Sequence, residues 1–359
     1  MGTGVGVCKD AVGVNGEHLP ESEADPLTMN LVRKFLDAEQ PDLVLLTGDQ
    51  LHHDIPDSQS ALFKAVAPMI ERSIPFAVAF GNHDSEGIHA LSRKLRPVNY
   101  NAGASKRIQS RRSPRLLCTE QMSILQSLPF SLSQPGPEDV DGIGNYYLQI
   151  LAHHPPQLPL ATLYLLDSHG QIPNNTSSPG PDYSPIQKSQ MDWFSSTSQA
   201  LRDARKKKGD INPFHLTMAF FHIPLPEFGD STLKMYSGRR REPTEGPKMN
   251  SHFFKTLQQE NILAVGTGHD HVNDFCALLP KLNDEKALGP WLCQGGSSGF
   301  GGYCSYNKKR YPRRMRVWQL NATHGSLETW TRTEHGSDPV DELVLVQNGM
   351  VTAQPKCKN

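Results

Sequence analysis

Four short apolar runs in this chain end in the same way, and that recurrence constrains the fold more than anything else in the sequence. Leu43-Val-Leu-Leu46 runs into Thr47-Gly48-Asp49, and residues 74–80 run into Gly81-Asn82-His83-Asp84. Residues 214–221 lead to His222-Ile223-Pro224, and residues 262–265 lead to Gly266-Thr-Gly-His269-Asp270-His271. Short, continuous apolar runs bounded by turn residues read as buried strands. In open α/β sheets the carboxyl ends of strands are where ligands bind. One polar turn after a strand is ordinary. Four that carry Asp, Asn and His, three of them beside Gly, are hard to explain as packing. Gly at such points lets backbone come close to a bound ion or substrate.

The stretches between these runs alternate with them. Residues 28–40 place Leu31, Phe35 and Leu36 on one face, and residues 58–72 do the same with Leu62, Val66, Met69 and Ile70. Both patterns predict helices, as do residues 120–128, 186–208 and 250–260. Residues 145–151 and 161–166 predict two more strands, 229–247 a polar, basic loop, and the rest of the chain after His271, through Trp291, 316–320 and 327–331, a β-rich end. Helices alternating with strands signal α/β layering. With no internal repeat and no evident boundary, residues 1–359 read as a single domain. Residues 93–117 break the pattern: eight basic residues, no acid and no apolar periodicity. They read as a solvated, disordered insertion.

Composition removes several function classes. A net charge of −1 provides no global field for nucleic acid or an anionic membrane. No apolar run approaches the roughly 18 residues that a membrane helix needs, and no leader opens the chain, so the cytoplasm is the default compartment. The six cysteines are scattered without a CxxC pair, against a zinc knuckle. Sequons at Asn174, Asn175 and Asn321 matter only in a secretory pathway.

Taken in order, GD, GNHD, H and GHxH resemble the calcineurin-like metallophosphoesterase superfamily. Gly48-Asp-Gln-Leu-His-His53, Phe220-Phe-His-Ile-Pro-Leu-Pro-Glu227 and Gly268-His-Asp-His-Val-Asn-Asp274 are most similar to fungal dosage-dependent cell-cycle regulator phosphatases and to plant purple-acid-phosphatase-like proteins. The resemblance implies an α/β (α+β) four-layer fold, with two mixed β-sheets in a sandwich flanked by helices. It also implies two divalent or trivalent metal ions (Fe, Zn or Mn) at the strand ends. Asp49 matches the bridging carboxylate. Asn82, His222 and His269 match the further ligands of one metal, and His271 a ligand of the other. His83 matches the histidine that contacts phosphate and assists the leaving group, and Asp84 the acid that orients it. The implied reaction is hydrolysis of phosphate monoesters, on phosphoprotein or small esters, by a metal-bridging hydroxide. Neutral imidazoles suit such metals, and a bridging carboxylate can hold two cations about 3.5–4 Å apart.

Two departures qualify that expectation. The family pattern opens with a strand ending in Asp-x-His, which supplies two ligands of the first metal. Residues 2–10 resemble the segment that follows it, so the first core strand is expected to be lacking and one metal site to be incomplete. Asp10 and His18 suit a metal in type but follow no apolar strand. His52 stands where purple acid phosphatases carry Tyr, which implies no purple iron centre. The alternatives are a catalytically impaired chain that keeps the fold, or a nuclease or phosphodiesterase of the same fold.

Overall fold

The computed structural model describes residues 11–52, 55, 57–84, 116–152, 158–172, 180–207, 214–281, 284–301 and 304–355. Asp10, most of the basic stretch at 93–117, His153-His154 and the sequons at Asn174 and Asn175 lie outside them. Five helices form where apolar periodicity predicts them: α1 (Ala24–Glu39), α2 (Ser58–Ile70), α3 (Cys118–Ser127), α4 (Lys188–Lys207) and α5 (Phe253–Gln259). Asp57 starts α2 by accepting from Ser60 N at 3.0 Å, satisfying one of the helix's orphan amides. Helix α4 ends in Arg205, Lys206 and Lys207, the charge that suits the negative pole of a helix.

The strands fall into layers. β1 (Val44–Thr47) and β2 (Phe76–Ala79) pair in parallel, Thr47 opposite Ala79. Next come β3 (Tyr146–Leu151), β4 (Pro159–Leu165), β5 (Leu216–Phe221), β6 (Lys234–Ser237), β7 (Ala264–Thr267) and β8 (Cys276–Leu278). β9 (Pro280–Lys281) and β10 (Asp284–Leu288) form a hairpin before β11 (Trp291–Gln294). Seven of these strands build one mixed sheet in the order β3-β4-β5-β7-β11-β8-β6. A small hairpin, β12 (Ser305–Tyr306) with β13 (Lys309–Arg310), leads to an antiparallel meander of β14 (Arg314–Asn321), β15 (Ser326–Thr333), β16 (Val340–Gln347) and β17 (Met350–Pro355).

Period-two alternation gives the large sheet two apolar faces. Leu163, Leu165, Met218 and Phe220 pack against Leu327, Leu343 and Leu345 of the meander. Tyr164, Phe221 and Val265 point the other way, onto Phe194 of α4 and Phe253, Phe254 and Leu257 of α5. Helices α1 and α2 cover β1 and β2 through Val32, Leu36, Leu62 and Val66. Each fully buried side chain of this size contributes about 1.5–3 kcal/mol. The result is the expected mixed α/β arrangement of stacked sheets flanked by helices, except that the meander is purely antiparallel.

Among the described residues, no strand pairs with the outer edge of β1 or of β14. Both edges line one cavity of about 920 Å³, walled also by Leu163, Met218 and Phe220 and reaching Asp49 and His222. The region 229–247, read from sequence as loop, contains strand β6. Its residues are exposed or half-buried, so they carry no apolar alternation, and only pairing with β8 defines it.

Candidate metal centre

Register delivers the polar turns to one place. The parallel pairing of β1 with β2 sets Gly48-Asp49 beside Gly81-Asn82. The parallel pairing of β5 with β7, Phe221 opposite Thr267, sets His222 beside Gly268-His269. Two glycines let these turns close. A Cβ on Gly48, whose φ is +96°, would stand 2.2 Å from His222 Nδ1, and one on Gly81 would stand 2.3 Å from Asp49 Oδ1. Asp49 itself has φ +51°, an unusual conformation for a residue with a side chain. It is held there on two sides: its amide donates to Asp84 Oδ2 at 3.0 Å, and its Oδ1 accepts from His83 N at 2.9 Å.

At the centre stands His222 Nε2. Asp49 Oδ2 lies 3.0 Å away, Asn82 Oδ1 3.1 Å and His269 Nδ1 3.2 Å. The opposite nitrogen, His222 Nδ1, is 2.8 Å from the Thr47 carbonyl oxygen, so it carries a proton and donates it there. In the neutral imidazole, Nε2 is then a bare lone pair that faces a carboxylate, an amide oxygen and a second imidazole nitrogen. One added proton on Nε2 can satisfy one of these three acceptors at best. A cation in their midst satisfies all four atoms, and the ligating atoms of Asp49, His222 and His269 already lie within 4.8 Å of one another. His269 Nε2 is buried with no hydrogen-bond partner, an arrangement that costs on the order of 1–3 kcal/mol and calls for an offsetting interaction. The oxygen and imidazole donors suit zinc, iron or manganese. The residues therefore fit a metal ion.

Electrostatics favour the ligating forms of Asp49, His269 and His271. Burial pushes the Asp49 carboxyl up, but His222, then His83 and His269, outweigh it and hold the group well below the usual carboxylate range. Burial, assisted by the charge of His222, drives His269 well below the ordinary imidazole value. Burial likewise lowers His271, to about 4. Both imidazoles are neutral at pH 7, as a metal ligand must be. His222 moves up, because Asp49 outweighs its desolvation.

The other expected site residues fall around this group. His83 Nε2 is 3.9 Å from Asp49 Oδ2 and faces the cavity, with the His52 ring stacked at a centroid distance of 6.2 Å. His271 lines the same cavity but stands outside the converged trio. The family resemblance implied that Asp84 orients His83. Its carboxylate instead accepts from three backbone amides, Gly81 and Asp49 on Oδ2 and Leu51 on Oδ1, so it ties the two turns together. Burial and the charge of Asp49 raise it to about 6.

Several supports were not foreseen. Gln121 of α3 donates to Asp84 O at 2.7 Å. Tyr183 sets its ring edge-on to His269 at 4.7 Å. Asp270, buried between the two histidines of its turn, accepts from Gln294, Asn273 and the Glu245 amide. Its place in Gly-His-Asp-His was the one signal available. Asp167-Ser168-His169 is structural: Ser168 Oγ accepts from Ile223 N at 2.8 Å and fixes the turn after His222. His215 is structural too, bridging Pro159 O and Thr162 Oγ1. His18 joins a bridge with Val12, away from this group.

Comparison with known proteins identifies the family. A family model for calcineurin-like phosphoesterases matches residues 21–273. Phosphatase DCR2 of Saccharomyces cerevisiae is 34% identical over 324 residues, 86% of this chain and 48% of that protein. Probable inactive purple acid phosphatase 29 of Arabidopsis thaliana is 33% identical over 354 residues, 92% of this chain and 80% of that protein. A dimetal phosphatase structure from Danio rerio aligns over 95% of this chain and 96% of that chain, with TM-score 0.49 and 12% identity. The chain spans about half the length of the yeast relatives it matches. From the extent of the family match and the identity to these relatives, the chain belongs to the calcineurin-like phosphoesterase family.

Proposed function

We propose that this chain is a metal-dependent phosphoesterase that hydrolyses phosphate monoesters. Asp49, Asn82, His222 and His269 would hold one cation, and Asp49 with His271 would contribute to a second. The observation that carries the reading is the convergence of Asp49 Oδ2, Asn82 Oδ1 and His269 Nδ1 on His222 Nε2, a donor set that suits a cation. When bound, the cations supply Lewis acidity, neutralising phosphate charge and acidifying water. The chain's own residues do the rest. Thr47 O fixes the His222 tautomer, leaving Nε2 as the ligating atom. Asp84 locks the Asp49 and Asn82 turns through backbone amides. His83, at the cavity wall, donates a proton from its ring to a phosphate oxygen or to the departing alkoxide.

The test is turnover of p-nitrophenyl phosphate against its bis-ester and single-stranded DNA, with metal content measured on the same protein. Preference for the monoester supports the reading. Preference for the bis-ester or DNA replaces it with a phosphodiesterase or nuclease. A second reading, cation binding without turnover, is favoured by one observation: His271 stands outside the converged trio. Bound metal with no cleavage of any of the three substrates would select it.

A further inference from the structure

The sequence reading left two features without a use: the sequon Asn321-Ala-Thr323 and the cysteines. The structure gives each a place. β14 ends at Asn321, β15 begins at Ser326, and those two residues face each other across the hairpin. Asn321 and Thr323 are both exposed at its tip. Asn321 Oδ1 accepts from His324 N at 3.2 Å, while its Nδ2 makes no hydrogen bond to the described protein. The loop bends the side-chain amide outward, with the Thr323 hydroxyl two residues on. The tip is anchored from below, where Gly349 N donates to Gly325 O at 2.8 Å and Phe214 packs under both glycines. A bulky group on Asn321 Nδ2 would thus meet solvent and leave the hairpin undisturbed. It would also stand clear of the metal centre, because Arg314, at the opposite end of β14, is the end that reaches Asp274. The two stand at opposite ends of an eight-residue strand, about 23 Å apart at the usual rise.

The second observation is independent of the first. Cys276 of β8 and Cys293 of β11 face each other across the antiparallel pair and are joined by a disulfide, fully buried. Nothing in their 17-residue separation announced the pairing. Structural disulfides form and persist in oxidising compartments and are rare where thiols are kept reduced. N-linked glycan transfer operates in the same oxidising lumen.

We infer that Asn321 is an N-glycan acceptor and that this domain matures in an oxidising, glycan-transferring compartment, not in the cytoplasm that the bare sequence suggests by default. The amide nitrogen of Asn321 forms a bond to the anomeric carbon of an oligosaccharide carried on a polyprenyl diphosphate. The carbon–oxygen bond to the diphosphate breaks, the diphosphate leaves with the electron pair, and the amide gives up one proton. The Cys276 and Cys293 thiols lose two electrons and two protons to an oxidised dithiol-exchange enzyme. Neither step depends on the phosphoesterase reading.

The protein isolated from its natural source is deglycosylated with a peptide N-glycosidase in ¹⁸O water and digested with trypsin. The expected result is that residue 321 is found as ¹⁸O-labelled Asp in the peptide spanning residues 317–332. A non-reducing digest should contain the Cys276 and Cys293 peptides linked. In secretory eukaryotic expression of the full chain, T323A and N321Q should each lose the label at 321, T323S should keep it, and thermal stability should stay that of the parent. An unmodified Asn321 overturns the inference, whether the label is found only at Asn174 or Asn175 or nowhere. Free thiols at Cys276 and Cys293 in the folded natural protein overturn the compartment assignment.

Discussion

Gly48→Ala is the sharpest single perturbation of the metal centre. The new methyl group would start 2.2 Å from His222 Nδ1, about 1.2 Å inside ordinary contact. The backbone at φ +96° adds roughly 1–2 kcal/mol for a residue with a Cβ. Relief requires the His222 ring to leave the Thr47 carbonyl, which costs a hydrogen bond worth about 1 kcal/mol and removes the contact that fixes the tautomer. The sum, about 2–3 kcal/mol, is lost from folding stability, and because the displaced ring carries a ligating atom, metal affinity should also fall roughly 10- to 100-fold. Gly336→Ala is the matched control: its φ is +85°, and nothing lies within 4 Å of the added Cβ. It should pay the backbone cost and bind metal as the parent does. Titration with zinc or manganese by calorimetry, alongside denaturant unfolding of the metal-free proteins, separates the two contributions. If Gly48→Ala binds metal as tightly as Gly336→Ala, His222 is not a ligand held by that contact and the reasoning fails.

Two further outcomes follow from the surroundings. Replacing Cys276 and Cys293 together by Ala should cost about 3 kcal/mol in denaturant unfolding, the loop-closure value for a short loop, and leave metal stoichiometry unchanged; an altered stoichiometry would mean that the bridge shapes the site itself. Burial, assisted by Asp270 and Glu245, raises Glu242 from 4.5 to about 7. The folded state therefore binds that proton more tightly than the unfolded one, and its stabilising contribution is present below about pH 4.5 and lost as pH rises through 7. Glu242→Gln should flatten that part of the stability–pH curve, and an unchanged slope would assign it elsewhere.

What could be read from the sequence was local. The apolar runs before Asp49, Asn82, His222 and His269 fixed the strands within a few residues, because their composition is dictated by burial on both faces. The helices were legible for the same reason, through Leu31 and Phe35 or Leu62 and Val66. What stayed hidden depends on pairing across the chain. β6 has half-exposed residues and exists only because β8 lies beside it. The Cys276–Cys293 bridge depends on β8 and β11 being neighbours. Asp84 shows the limit most clearly: the family resemblance implied His83 as its partner, whereas the fold turns its carboxylate toward the amides of Gly81, Asp49 and Leu51.

If Asp49, Asn82, His222 and His269 hold one cation, metal binding by Asn82→Ala and His269→Ala must show it. Denaturant unfolding of the metal-free variants checks that both fold. The account predicts that each loses at least ten-fold in affinity for the more tightly bound metal ion, as removal of one ligand should. Metal content and affinity equal to the parent in both variants would contradict it.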